Sequence, residues 1–198
     1  MISRISKTAI AIAMMIALPL VAHADTWQID PAHTSVEFTV RHMMISNVRG
    51  QFQKTAGTIT TNGGGAASAT IDATIDASSV DTRVERRDAH LKSPDFLDVA
   101  KYPTITFKSS KVEGAGPGKF TVTGDLTLHG VTRPVVLDVE TAGAPIKDPM
   151  GNMRAGASAT TKIKRSDFGL TWNKALETGG VVVGDEVAIS IDVEAIKK

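Results

Sequence analysis

Thr34-Ser35-Val36-Glu37-Phe38-Thr39-Val40-Arg41 sets apolar Val36, Phe38 and Val40 in strict alternation with Ser35, Glu37, Thr39 and Arg41. Successive side chains of an extended chain point to opposite faces, so the stretch reads as a strand with one dry face and one wet face. The period returns in Ala67 to Asp76, where Ala69, Ile71, Ala73 and Ile75 share a face. It recurs at Ile105 and Phe107, at Phe120, Val122, Leu126 and Leu128, and at Val135, Leu137 and Val139. Val187, Ile189, Ile191, Val193 and Ala195 close the series. These are half-buried antiparallel strands, about eight in all. Breakers separate them: Asn62 to Gly65, Gly114 to Gly118, His129 to Pro134, Pro145 to Asn152 and Gly179-Gly180.

A dry face repeated on so many strands is buried either by closing the sheet into a barrel or by stacking two sheets. Periodicity does not choose between the two. Length exceeds that of a simple sandwich of ~100 residues, and Ala69, Ala73, Ala157, Ala159 and Thr161 are small residues on inward phases. Both features lean toward an all-β, eight-stranded antiparallel barrel with room for one small ligand. Small inward residues that merely fit the taper of a packed barrel are the alternative.

The opening residues belong to another pattern. Arg4 and Lys7 precede the apolar run Ile10 to Val21 and the small-residue site Ala22-His23-Ala24, the layout of a secretory signal peptide cut after Ala24. The expected domains are therefore a leader, residues 1–24, and one β domain, residues 25–198. The run is too short for a stable membrane anchor. Losing Arg4 and Lys7 takes the formal charge from +1 to −1, a balance that gives no reason to expect a nucleic-acid partner. The chain has no cysteine, so disulfides, thiolate metal sites and cysteine nucleophiles are excluded.

Ser79 to Leu91 abandons alternation. Ser79 or Asp81 offers a cap, Val80, Val84 and Leu91 fall near helical spacing, and Ser93-Pro94-Asp95-Phe96-Leu97 restarts a turn. The segment predicts a short helical insertion at one end or on the wall of the barrel. Arg87, Asp88 and His90 within it bring a base and a carboxylate close in sequence, but residues two apart on a helix do not face each other. No serine sits in a nucleophile-elbow sequence. His33, His42, His90 and His129 form no His-Glu-x-x-His or His-x-His pattern. The residues thus predict no catalytic group, no metal and no cofactor.

Six blocks, in order along the chain, carry a resemblance. They are Trp27 to Phe38 (Trp-Gln-Ile-Asp-Pro-Ala-His-Thr-Ser-Val-Glu-Phe), Arg87-Asp88-Ala89-His90-Leu91 with Asp95-Phe96, and Tyr102 to Phe107. Gly124 to Val131, Arg165-Ser166-Asp167-Phe168-Gly169-Leu170 and Gly184-Asp185-Glu186-Val187 complete them. Together they resemble the YceI-like family. That resemblance implies a lipocalin-like barrel exported to the periplasm, with an elongated apolar cavity for a polyisoprenoid or another long-chain amphiphilic lipid. It also allows a homodimer.

The residues and the resemblance meet at the cavity. A nine-residue strand tilted by ~40° gives an interior of roughly 23 Å, suited to an extended hydrocarbon tail. Phe38, Phe107, Leu126 and Ile189 sit on the dry faces of four strands and are expected to line it. Phe96 and Trp172 are large aromatics outside the alternation, placed near the cavity or its mouth. Arg87, Asp88 and His90 are candidates for a head-group or mouth site. The leading reading is a carrier of an isoprenoid lipid, such as a quinone or its precursor. A hydrolase or isomerase with His90 or His129 as base, and an adhesin-like sandwich, are the alternatives.

Overall fold

The computed structural model describes residues 24–63, 65–177 and 179–198. Met1 to His23, and with them almost all of the expected leader, lie outside the described residues. Strand segments are β1 (Ala24–Ile29), β2 (Ser35–His42), β3 (Ser46–Phe52), β4 (Thr55–Asn62), β5 (Thr70–Asp76) and β6 (Val80–Asp81). A helix, α1 (Glu85–Lys92), precedes β7 (Thr104–Gly116), β8 (Lys119–Leu128), β9 (Val131–Thr141), β10 (Ile146–Lys147), β11 (Met153–Lys164) and β12 (Val183–Lys197).

Ten of the twelve segments make eight barrel strands, because two strands are bent, while the two-residue β6 and β10 only pair along the edges of β3 and β11. β1 and β2 lie end to end along one edge of β12, with Ile29 opposite Ala195 and Val36 opposite Ile191. β3 and β4 are joined by two residues and continue the partner strand, β3 pairing with β2 and β4 with β1. From β4 the chain runs as a meander through β5, β7, β8, β9, β11 and β12, each antiparallel to the last. β12 then returns to β1 and β2, so the ring closes with no free barrel edge. Among the described residues, a closed eight-stranded antiparallel barrel with one short α-helix, and no stacked second sheet, buries the repeated dry face.

The bend in the first strand has local chemistry. Pro31 removes a donor, Ala32 N–H donates to Asp30 Oδ1 at 3.0 Å, and Asp30 N–H still reaches Glu194 O at 2.8 Å. Pro134, expected in a loop, lies within β9 instead. The β9 edge pairs with β11 only from Asp138 to Thr141, so the missing N–H of Pro134 breaks no ladder.

Three other expectations on element bounds shift. Ala69 is not on a strand: Gly65–Ser68 forms a 3-10 turn, closed by Ser68 Oγ donating to Gly65 O, and β5 starts after it. The helix begins at Glu85, because buried Val80 and Asp81 pair with Phe52 and Gln51 as β6. Ser79 and Asp81 accordingly cap nothing in α1, whose N-cap is Val84 with no side-chain bond. Pro94 to Leu97 make a turn without helix.

The end carrying α1, here the upper end, holds a core of Val80, Phe96, Leu97, Val135, Phe168 and Leu170. Phe168 is its most buried large side chain at 2% exposure. A smaller cluster, Val122, Leu137 and Ala159, lies farther down. The space between them is the cavity.

Candidate functional site

A cavity of about 310 Å³ occupies the barrel interior. Ligand sites begin near ~300 Å³, and a cavity half this size takes a benzene-sized guest. Every barrel strand contributes to it. Val36, Phe38 and Val40 come from β2, Ile71, Ala73 and Ile75 from β5, Ile105 and Phe107 from β7, and Leu126 and Leu128 from β8. Val135, Leu137 and Val139 of β9 and Val187, Ile189, Ile191 and Val193 of β12 continue the wall. These are the dry-face residues of the alternating stretches, and the register places them on one side of the closed sheet.

Two aromatics shape the interior by crossing glycines. A Cβ on Gly50 would stand 2.4 Å from Phe38 Cζ, and one on Gly124 would stand 2.5 Å from Phe107 Cζ. Each ring therefore occupies the space that a side chain on the neighbouring strand would need. Ala73, Ala157, Ala159 and Thr161 also line the cavity, so small inward residues here make room instead of merely fitting the taper.

No polar atom presents surface to this cavity. Arg165 belongs to the lining and is only 7% exposed, yet its guanidinium turns away. Nε donates to Gly184 O at 3.0 Å, Nη1 to Leu170 O and Nη2 to Val183 O at 3.4 Å. Burial lowers its pKa from the ordinary arginine value, opposed by the charge of Asp185. Asp185 itself accepts from Ser166 N–H and Oγ. The residue latches the 3-10 turn Arg165–Phe168 to the start of β12, offering the cavity only its aliphatic stem. Thr55 Oγ1, on another lining residue, is buried without a partner.

Of the residues proposed for the cavity, Phe38, Phe96, Phe107, Leu126 and Ile189 lie on its wall. Trp172 does not: it packs on Phe96 at 5.2 Å and edge-on to His90 at 5.0 Å, behind the wall. The proposed head-group residues also stand outside it. Asp88 Oδ1 accepts from Thr82 N–H and Oγ1, while Arg87 donates through Nε to Thr82 Oγ1 and through Nη2 to Thr82 O. Both thereby hold the chain entering α1. His90 Nε2 bonds Asp95 Oδ2 at 2.8 Å, and its ring meets Phe96 edge-on at 5.0 Å. His129, the other histidine considered as a base, bonds Phe168 O through Nδ1 and packs against Tyr102.

Leu91, Leu97 and Leu170 complete the upper wall, and no alternation marks them. The near-helical position of Leu91 was the one available signal.

A second polar grouping lies at the lower end and was not foreseen. Arg154 at the start of β11 donates to Asp148 Oδ2 at 2.7 Å, to Asp30 Oδ2 at 2.8 Å and to Glu194 Oε1. His33 Nδ1 joins Asp30 at 2.9 Å. The hydrogen bond from Arg154, then that of His33, holds Asp30 at a pKa of about 2. Asp148 is held still lower, by Arg154 first and Asn152 next, and the carboxylates in turn raise Arg154. Asp30, His33 and Glu194 have the ligand types of a metal site, but the guanidinium already supplies their cation.

A sequence profile for the YceI-like domain matches residues 27–195. A UPF0312 protein of Vibrio vulnificus is 37% identical over 199 residues, covering 98% of this chain and 100% of the relative. The crystal structure of BcnA from Burkholderia cenocepacia superposes with a TM-score of 0.72 at 27% identity, covering 84% of this chain and 98% of that one. A polyisoprenoid binding domain from Saccharophagus degradans, implicated in plant cell wall breakdown, has a TM-score of 0.63 over 87% of this chain and 98% of its own. At 18% identity that last likeness concerns the fold alone. With a profile spanning nearly all of the barrel and a relative aligned over its full length, the chain belongs to the YceI-like family.

Proposed function

We propose that the chain is a periplasmic binding protein that holds a polyisoprenoid, such as an isoprenoid quinone or its precursor, or another long-chain amphiphilic lipid by its tail. The observation that carries this reading is a cavity whose wall offers no hydrogen-bonding surface at all. A guest segment with a polar group would lose its water without compensation, at about 1–3 kcal/mol per group. A hydrocarbon chain loses nothing and gains ~25 cal/mol per Å² of apolar surface removed from water. The polyisoprenoid binding domain that shares the fold supports this ligand class.

Binding without chemistry is the role the geometry favours. His90 and His129 are engaged with Asp95 and with Phe168 O, and neither lines the cavity. Native mass spectrometry of the protein purified from its own periplasm is expected to show a co-purifying lipid. Phe107→Asp, which puts a carboxylate on the wall, is expected to lose that lipid and several kcal/mol of stability. A wild-type protein that carries no lipid and takes up none from a long-chain isoprenoid mixture would refute the reading.

A further inference from the structure

The hairpin between β2 and β3 ends in Met43-Met44-Ile45, exposed by 41%, 41% and 77%. Its tip is a hydrogen-bonded turn, Ile45 N–H to His42 O at 3.1 Å. Both central residues are left-handed, with φ of 49° at Met43 and 62° at Met44. Asn and Gly ordinarily fill such positions, because a side chain with a Cβ is strained there. The conformation is nevertheless fixed. Met43 N–H donates to Val182 O at 2.8 Å and Arg41 Nη2 to Met44 O at 2.9 Å. Gly180 lies so close that a Cβ on it would stand 3.2 Å from Met44 Cγ. Strain maintained at an exposed turn, for side chains that contribute little to the core, points to a use outside the fold.

The surroundings say which use. Exposed Arg41 and Arg49 flank the tip on the two strands, and among the described residues neither has a carboxylate within salt-bridge distance. Exposed Lys174 lies on the neighbouring segment, where its carbonyl accepts from Val182 N–H. Glu177 is the acid in that segment. Asp185 and Glu186 of the adjoining β12 bulge are bound to Ser166 and Lys162, so apolar side chains flanked by Arg41, Arg49 and Lys174 match the chemistry of an anionic bilayer surface. The tip offers at most a few hundred Å², far below the ~1,200 Å² at which stable protein interfaces begin. A bilayer accepts a protrusion of this size. Methionine, flexible and polarizable, suits a surface without fixed shape.

The tip also continues the cavity wall. Val40, three residues before Met43, lines the cavity, as does Val183, which pairs with His42. We propose that Met43-Met44-Ile45 is a membrane-docking tip that inserts between anionic phospholipids, bringing the upper end of the cavity to the bilayer from which lipid is loaded or to which it is returned. The loading role rests on the lipid-binding reading above; the docking itself does not.

Co-sedimentation of the purified protein with vesicles of phosphatidylglycerol and phosphatidylethanolamine, against pure phosphatidylcholine, tests it. Wild type is expected to partition to the anionic vesicles and to leave them as salt rises. Ile45→Ser is expected to weaken that partition about ten-fold, and Met43→Asn/Met44→Gly/Ile45→Ser to abolish it. Arg49→Gln is expected to weaken it by about three-fold to five-fold. Cargo mass measured on the same samples separates the two readings: cargo retained while vesicle binding is lost supports docking, and vesicle binding by a protein without cargo removes only the loading role. Wild type that ignores anionic vesicles, variants that sediment like wild type, or a concentration-dependent dimer broken by Ile45→Ser would each overturn the proposal.

Discussion

At the upper end of the barrel Phe168, Leu170, Phe96 and Leu97 exclude water, and buried Arg165 is satisfied by neutral carbonyls. At the lower end Asp30, Asp148 and Glu194 gather round Arg154, with His33 beside them. Both arrangements tie strands distant in sequence. The first works by removing apolar surface from water. The second works by charge, and is present only while its carboxylates are ionised. A barrel that keeps an apolar cavity gives up core packing, so what holds its ends matters more than in a filled barrel.

The largest effect is expected at the upper end. Phe168→Ala removes a side chain 2% exposed and is expected to cost about 3–5 kcal/mol, because the surrounding turn cannot collapse into the space. Urea denaturation at neutral pH measures it. A loss below about 1 kcal/mol would show that the cavity already absorbs such voids, and the upper end would not then be the anchor.

The acid limb of stability sharpens the comparison from the other side. Asp30 falls from 3.8 to about 2 on folding, and Asp148 falls further in the same direction. Their folded pKa values lie below the unfolded ones, so folding favours the ionised forms. The stabilisation is complete above pH ~4 and is lost as pH falls through the folded values toward ~2. Asp76 adds to the same limb, since hydrogen bonds from Ser78, with Lys54 nearby, lower it too. Arg154→Met leaves three carboxylates with His33 alone. That variant is expected to be less stable than wild type at pH 7, and to lose less stability, or gain some, between pH 4 and 2. Thermal melts across that range decide it, with Asp76→Asn as the control for the other acid. Parallel acid limbs in wild type and Arg154→Met would show that the lower cluster is not the source.

What the sequence made legible follows from the same contrast. The wall was readable because period two fixes which side chains share a face, and Phe38, Phe107, Leu126 and Ile189 are all on it. The lower cluster was not, since Arg154 meets Asp30 across 124 residues and Glu194 across 40. No local pattern announces such a meeting, although Asp30-Pro31-Ala32-His33 stood within a recognised block. Helical spacing around Val80 misled because that residue is buried by pairing with Phe52, a tertiary contact that overrides local preference. Met43-Met44 carries no turn signal at all, because turn propensity there is overruled by the neighbouring loop.

The smallest expected effect concerns His90, whose position in the insertion suggested chemistry or head-group recognition. Its ring stands edge-on between Phe96 and Trp172, both centroids 5.0 Å away, and its Nε2 bonds a half-exposed Asp95. Edge-to-face pairs contribute about 0.5–1.5 kcal/mol beyond area, and a part-exposed hydrogen bond adds at most ~1 kcal/mol. His90→Ala is thus expected to lower stability by about 1–2 kcal/mol. Because the imidazole does not line the cavity, the mass and amount of co-purifying lipid should stay as in wild type. Phe96→Ala is the contrasting variant: Phe96 both packs against His90 and lines the cavity, so it is expected to change lipid retention as well as stability. If His90→Ala alters the bound lipid while the fold is intact, the head group must reach past the apolar wall to this ring. Binding and closure at the upper end would then be one site, and its separation from the cavity would not stand.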